Sequence, residues 1–126
     1  FTNEGLSGAI QRAQQYLEAG ADAIFAEGFY TLDDYKKFCA EINSPVLANI
    51  TEFGKTPLFT VAELKSVGVK MILYPLSAFR AMNQAALTVF QTIRKNGTQQ
   101  SVIDRMQDRK TLYDFLEYER FEKMTD

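Results

Sequence analysis

Three short apolar runs constrain the fold of this 126-residue chain more than any other feature. They are AIFA before Glu27, PVLA before Asn49 and MILY before Pro75, and their ends lie 22 and 26 residues apart. Such distances suit one strand, one loop and one helix each. Because each run is apolar throughout, both faces of its strand are expected to be covered, as in a parallel sheet. The pattern predicts an α/β chain.

Three strands are too few to close a βα-barrel, and strands that are apolar on both faces are not left as open edges in water. We therefore expect further strands ahead of this segment. Residues 1–5, which read as a loop leading into a helix, agree with that expectation. We assign 1–98 to the C-terminal part of a βα-barrel and 99–126 to a helical extension that makes a subunit contact.

Local signals place the individual elements. The apolar runs predict strands over 23–26, 46–48 and 69–74. Helices are predicted over 6–19, from Thr31 to the turn at Pro45, from Thr60 to Gly68, over 77–96 and over 110–121, with one short turn at 102–106. Thr31 and Ser77 are expected to cap their helices, and Thr60 with Glu63 has the pattern of a capping box.

Composition excludes several classes of function. The net charge of −2 argues against nucleic acid as the main partner, and no apolar stretch approaches the length of a membrane span. The single Cys39 cannot form an internal disulfide, which favours a reducing compartment such as the cytoplasm. With no histidine, this segment cannot supply a histidine-based triad.

Candidate site residues lie where the predicted strands end, because βα-barrels carry their chemistry there. Glu27 is either a solvated residue at the start of a loop or a carboxylate that holds a substrate hydroxyl or a metal-bound water. Asn49 and Thr51 either form a local Asx turn or donate hydrogen bonds to a carboxylate. Both interpretations remain open for each residue.

Arg80 falls in the first turn of the predicted 77–96 helix, where a cation opposes the helix dipole. A bound anion would turn this unfavourable interaction into a favourable one, because helix N-termini and arginine forks both favour carboxylates. The alternative is a salt bridge between Arg80 and a nearby acidic residue. The sequence supports anion binding and the salt bridge equally.

Three long segments resemble a known family: PVLANITEFGKTPLFT, ILYPLSAFRAMN and GTQQSVIDRMQDRKTLYDFLEYERFE. They are similar to the C-terminal part of the 2-methylisocitrate lyases, within the isocitrate lyase and phosphoenolpyruvate mutase superfamily, and the similarity covers essentially the whole chain. The resemblance implies a (βα)8 barrel, and a magnesium-dependent carbon–carbon lyase that splits 2-methylisocitrate into pyruvate and succinate in the methylcitrate cycle of propionate catabolism. It also implies a homo-oligomer, a tetramer with swapped C-terminal helices.

The resemblance assigns roles residue by residue. Contacts to the tricarboxylate substrate fall on Glu27, Asn49, Ile50, Thr51, Arg80 and Arg109. The pocket for the extra methyl group maps to Phe25, Leu73 and Pro75. No catalytic residue and no Mg²⁺ ligand is assigned within this segment, since both sets are expected upstream.

The chain departs from the family at two positions that flank the assigned Glu27. The usual Phe-Pro-Glu-Ala at the first strand end reads Phe25-Ala26-Glu27-Gly28, which keeps the glutamate but should loosen the loop. Two alternative functions stay open. One is a related lyase or hydrolase acting on another 2-oxo or 2-hydroxy acid, and the other is a barrel remnant that binds a carboxylate without catalysis.

Overall fold

The computed structural model of the chain describes residues 3–124, so part of the predicted opening loop, Phe1 and Thr2, lies outside the described residues. It forms two compact units, the first ending at Arg80 and the second beginning at Ala81. The elements in chain order are α1 Gly5–Glu18, β1 Ile24–Ala26, α2 Leu32–Glu41, β2 Val46–Asn49, α3 Val61–Ser66, β3 Met71–Leu73, α4 Ser77–Asn96, a 3-10 helix Gln100–Arg105, α5 Arg109–Phe115 and α6 Tyr118–Glu122.

The three strands form a parallel sheet in the order β1-β2-β3, which confirms the predicted α/β arrangement. Their bounds agree with the sequence prediction to within two residues. The register aligns Phe25 with Leu47 and Leu47 with Met71, and it aligns Asn49 with Leu73. Because side chains alternate along a strand, these five residues share one face of the sheet.

The core of the first unit lies on the opposite face. Helices α1, α2 and α3 all contribute buried side chains to it. The buried residues of this cluster are Ala9, Ala13, Ile24, Ala26, Phe29, Tyr35, Phe38, Ile42, Val46, Ala48, Ile50, Leu64 and Val69. Phe29 packs edge-on against Tyr35, with ring centroids 4.9 Å apart.

The other face of the sheet stays exposed, so the prediction that both faces are covered is wrong for the described part of the chain. Phe25 is 54% exposed, and Met71 and Leu73 are about 40% exposed. The physical reason is that α1, α2 and α3 all pack into the cluster on the opposite face. An apolar run indicates that both faces of a strand can be buried. The described residues, however, cover only one face of this sheet.

Helix ends follow local capping chemistry, with two corrections. Capping boxes start α2 at Thr31 and α3 at Thr60, as predicted. Ser77, expected to cap α4, is instead its first helical residue, and its hydroxyl donates to the carboxylate of Glu52. The single helix predicted over 110–121 is divided into α5 and α6, because Glu117 adopts a left-handed conformation with φ of 51°.

Candidate functional site

Polar residues from two neighbouring strands meet at the carboxyl edge of the sheet. Glu27 directly follows β1, and Asn49 is the last residue of β2. The Asn49 Nδ2 group donates a hydrogen bond to Glu27 Oε1 across 3.0 Å. Parallel pairing of β1 and β2 thus brings together two residues that lie 22 positions apart in the sequence.

These two residues line a cleft of about 480 Å³. Its other lining residues are Arg12, Phe25, Gly28, Thr51, Gly54, Lys55 and Thr56. Asn49 Oδ1 is buried and has no hydrogen-bond partner among residues 3–124. With its Nδ2 group on Glu27 and its Oδ1 atom closed off from solvent, the Asn49 amide orients the Glu27 carboxylate.

Asn49 does not form the local Asx turn considered from the sequence, because that turn needs Oδ1 as its acceptor and this atom has no hydrogen-bond partner among residues 3–124. The next residue, Ile50, is buried, and its N–H donates to the carbonyl of Leu73 at 2.8 Å. The Ile50 amide proton therefore continues the pairing of β2 with β3. Any contact between Ile50 and a ligand has to use another atom.

Arg80 anchors a second cluster within the same unit. Its Nη1 donates to Glu52 Oε2 at 2.8 Å, and to Thr51 Oγ1 at 3.3 Å. Ser77, one helical turn before Arg80, donates to the other carboxylate oxygen of Glu52. The ion pair considered as one alternative for Arg80 is thus present, while anion binding by Arg80 stays a prediction.

The electrostatics of this cluster favour an ionised Glu52. The Ser77 hydroxyl, a backbone donor and the Arg80 guanidinium together hold the pKa of Glu52 below its ordinary value. Arg80 also lies over the ring of Phe53, with its Cζ atom 5.5 Å from the ring centroid. Phe53 and Leu76, which flank the cluster, both have a φ near 65°.

Sequence reasoning missed Glu52 and Phe53 as parts of this cluster, and it gave Ser77 a different role. One signal was present, because Glu52 directly follows Thr51 in the long loop after β2. An acid in that position is a natural partner for an arginine expected at a neighbouring strand end. The path of the loop that brings Glu52 to Arg80 could not be predicted from the residue types.

The remaining predicted residues occupy separate places. Phe25 and Leu73 share the exposed face of the sheet, and Pro75 lies two residues beyond β3, half-buried. Arg109 is the exposed first residue of α5 in the second unit, following the cap residue Asp108. The first unit therefore contains every predicted site residue except Arg109.

The described residues contain neither a group of metal ligands nor a helix that could span a membrane. Within 3–124, no three histidine, cysteine, aspartate or glutamate side chains are grouped so that they could hold a metal ion. Of the carboxylates in the described part of the chain, Glu27 alone lines the 480 Å³ cleft. None of the described helices has the length and apolar character that crossing a membrane requires.

Two relatives of the chain carry the name 2-methylisocitrate lyase. It is 54% identical over 123 residues to the 2-methylisocitrate lyase of Escherichia coli (strain K12), covering 98% of this chain and 42% of that protein. It is 42% identical over 120 residues to the 2-methylisocitrate lyase of Aeropyrum pernix, covering 95% of this chain and 39% of that protein. The chain spans about two fifths of the length of these relatives.

Solved structures show the same fold. A 2,3-dimethylmalate lyase, a member of the PEP mutase/isocitrate lyase superfamily, matches with a TM-score of 0.82 at 22% identity, over 98% of this chain and 43% of that one. A phosphonopyruvate hydrolase, solved in complex with oxalate and Mg²⁺, matches with a TM-score of 0.75 at 28% identity, over 94% of this chain and 42% of that one. The family model described as phosphoenolpyruvate phosphomutase matches residues 1–94. The chain belongs to the phosphoenolpyruvate phosphomutase family.

Proposed function

We propose that this chain is the C-terminal part of a lyase that cleaves 2-methylisocitrate into pyruvate and succinate, in the methylcitrate cycle of propionate catabolism. The hydrogen bond between Asn49 and Glu27 carries the proposal. It joins two of the expected substrate contacts at the carboxyl edge of the sheet, in a cleft that Thr51 also lines. The 54% identity to the Escherichia coli 2-methylisocitrate lyase supports the choice of substrate.

The carboxylates of the substrate are bound by the two arginines in this proposal. Arg80 has a partly exposed guanidinium beside Thr51, and Arg109 is the second arginine. A guanidinium presents paired N–H donors that match a carboxylate. Thr51 lines the cleft with its hydroxyl donating to the Glu52 carbonyl at 3.4 Å, so it helps to hold Arg80 in place. Ile50 contributes through an atom other than its N–H, which Leu73 already accepts.

Glu27 orients the reacting end of the substrate. One of its oxygens accepts the Asn49 hydrogen bond, which leaves the other free to accept a hydrogen bond from a substrate hydroxyl. The Asn49 amide holds that carboxylate in place at the strand edge. A carboxylate held in this way can fix the direction of an O–H group before the carbon–carbon bond breaks.

Magnesium is the cofactor in this proposal, and the described residues alone do not fit it, since no suitable group of ligands occurs among residues 3–124. We assign its ligands to the part of the enzyme upstream of this chain. When bound, the ion would supply positive charge where negative charge develops on the substrate. The residues of this chain bind and orient the substrate.

The exposed face of the sheet is where we place the methyl slot and the missing part of the barrel. Phe25 and Leu73 lie on that face and, with Pro75, form the slot for the methyl group of the substrate. An apolar face of this kind is stable once further strands close a (βα)8 barrel over it. We further propose a cytoplasmic homo-oligomer, a tetramer whose helical extensions, residues 99–126, are exchanged between subunits.

The direct test is an assay of the complete protein that carries this chain, following pyruvate and succinate release from 2-methylisocitrate with and without Mg²⁺. Magnesium-dependent cleavage is expected. A Glu27→Gln variant should lose turnover while it keeps its melting temperature, whereas Glu41→Gln, an exposed control, should change neither. A folded complete protein that leaves 2-methylisocitrate intact but cleaves another 2-oxo or 2-hydroxy acid would overturn the substrate assignment.

A chimera provides an independent check. In it, this chain replaces the matching segment of the Escherichia coli 2-methylisocitrate lyase, to which it is 54% identical. If the residues of this chain bind the same substrate, the chimera retains cleavage. A folded and assembled chimera without activity would show that this chain does not serve the reaction.

A further inference from the structure

Glu52 connects the loop after β2 to the first turn of α4. Its Oε1 accepts a hydrogen bond from Ser77, and its Oε2 accepts one from Arg80 at 2.8 Å. Ser77 and Arg80 lie three residues apart, so both side chains emerge on the same side of the helix. One carboxylate thus bridges two adjacent positions of a single helical turn.

The contact uses only one nitrogen of Arg80. All three of its hydrogen bonds to described residues start from Nη1, reaching Glu52 Oε2, Glu52 O and Thr51 Oγ1. Among residues 3–124, Arg80 Nε and Nη2 make no hydrogen bond, and the side chain is 39% exposed. A guanidinium has five N–H donors, and the edge formed by Nε and Nη2 is sufficient for a bidentate carboxylate.

The backbone around the cluster is held in an uncommon conformation. Phe53 follows Glu52 with a φ of 64°, and Leu76 precedes Ser77 with a φ of 65°. Positive φ values are disfavoured for residues other than glycine and concentrate at functional sites. Both cluster residues, Glu52 and Ser77, are therefore adjacent to a left-handed residue that sets the direction of the chain.

We propose that Glu52, itself held by Ser77, is the positioning residue for Arg80. Glu52 binds the guanidinium at Nη1. The edge formed by Nε and Nη2 then faces the substrate carboxylate. This inference rests on the proposed function, in which Arg80 binds a carboxylate of the substrate. A carboxylate that merely competed with the substrate for Arg80 would weaken binding, so the two roles predict opposite effects of removing it.

The test compares Glu52→Gln, Ser77→Ala and the exposed control Glu18→Gln in the complete protein. Glu52→Gln should lower kcat/KM roughly tenfold, chiefly through KM, and Ser77→Ala should lower it less. In an Arg80→Ala background, Glu52→Gln should have no further effect, because its role acts through Arg80. Glu18→Gln, which removes the same charge elsewhere, should match the parent.

Crystal structures of the parent and of Glu52→Gln provide a readout that does not depend on activity. The Arg80 guanidinium should occupy one position in the parent and move or disperse in the variant. A lower KM in Glu52→Gln, or an Arg80 side chain that stays in place, would overturn the positioning role. If the parent cleaves no 2-methylisocitrate, the proposed function fails, while the Arg80 geometry still decides the role of Glu52.

Discussion

The side chains at the carboxyl edge of the sheet are held to different extents. Glu27 is exposed and receives one hydrogen bond from Asn49, whereas Arg80 reaches both Glu52 and Thr51 from a single nitrogen. A residue held by several partners has lost most of its conformational freedom before a ligand arrives, so binding costs less entropy. Substitutions at Arg80 should therefore act mainly on binding.

Arg80→Ala in the complete protein should lower kcat/KM by roughly 10- to 150-fold, which corresponds to a charged hydrogen bond of about 1.5–3 kcal/mol. Arg80→Lys should recover only part of the loss, because an ammonium group cannot present a planar fork. Steady-state kinetics on 2-methylisocitrate would measure both variants, with Arg94→Ala as a control at an exposed arginine that is not assigned to the site. If Arg80→Lys were as active as the parent, the fork would have no role.

Leu73 tests the methyl slot, since it shares the exposed face of the sheet with Phe25. Leu73→Trp should lower the efficiency for 2-methylisocitrate more than for isocitrate, because the larger ring fills the space of the methyl group. A methyl group in an apolar pocket contributes about 1–3 kcal/mol, which limits the change in the ratio to roughly 10- to 200-fold. The ratio of the two efficiencies is the quantity to measure.

Met71→Trp is the matched control, because Met71 lies on the same strand and face as Leu73 but is not assigned to the slot. It should leave the ratio of efficiencies unchanged. Equal losses for both substrates in Leu73→Trp would remove Leu73 from the slot.

The burial of Tyr35 predicts that the protein loses stability at alkaline pH. Its side chain is fully buried, and its hydroxyl has no hydrogen-bond partner among residues 3–124. Burial, with smaller contributions from Cys39 and Glu27, raises the pKa of Tyr35 from 10.0 to about 12. The stabilising effect of the neutral phenol is thus fully present below pH 10 and is lost as the pH rises towards 12.

The variant Tyr35→Phe should remove that dependence. Between pH 8 and pH 11 the parent should lose more stability than the variant, as measured by urea unfolding at both values. At pH 8 the variant should lie within about 1 kcal/mol of the parent, since it removes a hydroxyl that no described residue pairs. Equal losses in the two proteins would show that Tyr35 does not titrate in this way.

At the scale of elements, local chemistry made much of this chain predictable. The strands coincide with the apolar runs, and the Thr60–Glu63 capping box starts α3 as its sequence pattern indicates. The contact between Glu27 and Asn49 was also within reach, because parallel strands bring their carboxyl ends to one edge. Each of these features depends on residues that are close in sequence or on a fixed register.

The Glu52 cluster was not predictable in the same way. It depends on the path of the chain from Ile50 to Thr60, and on left-handed conformations at Phe53 and Leu76. Residue type gives no signal for such conformations outside glycine and, to a lesser degree, asparagine and aspartate. The same limit explains why α5 and α6 were predicted as one helix, since their boundary is the left-handed Glu117.

The start of α3 provides a test at this scale. Thr60 Oγ1 accepts a hydrogen bond from the Glu63 N–H at 3.2 Å, and Glu63 Oε2 accepts one from the Thr60 N–H at 2.7 Å. Thr60→Ala should lower the free energy of unfolding by about 0.5–2 kcal/mol, whereas Thr60→Ser should retain nearly all of it. Urea unfolding of both variants measures the difference. Equal stabilities of the alanine and serine variants would mean that the cap contributes nothing.

At the scale of the whole molecule, the second unit exposes a large apolar surface. Phe115 is 80% exposed and Phe121 is 59% exposed, and the rings of Tyr113 and Tyr118 stack at 4.4 Å between centroids. Exposed aromatic surface of this extent is typical of protein–protein interfaces. It supports the proposal that residues 99–126 are exchanged between subunits.

Removing residues 110–126 from the complete protein should therefore convert the oligomer into smaller species, because the aromatic side chains that would fill the partner surface are lost. Light scattering coupled to size-exclusion chromatography measures the mass directly. A double substitution, Lys110→Ala with Asp114→Ala, is the matched control, since it removes an exposed ion pair from α5 and leaves every aromatic ring in place. Exposed ion pairs of this kind contribute little, so the control should keep the parent mass. If the truncated protein also kept that mass, the subunits would be held together elsewhere, and the exchange of C-terminal helices would have to be abandoned.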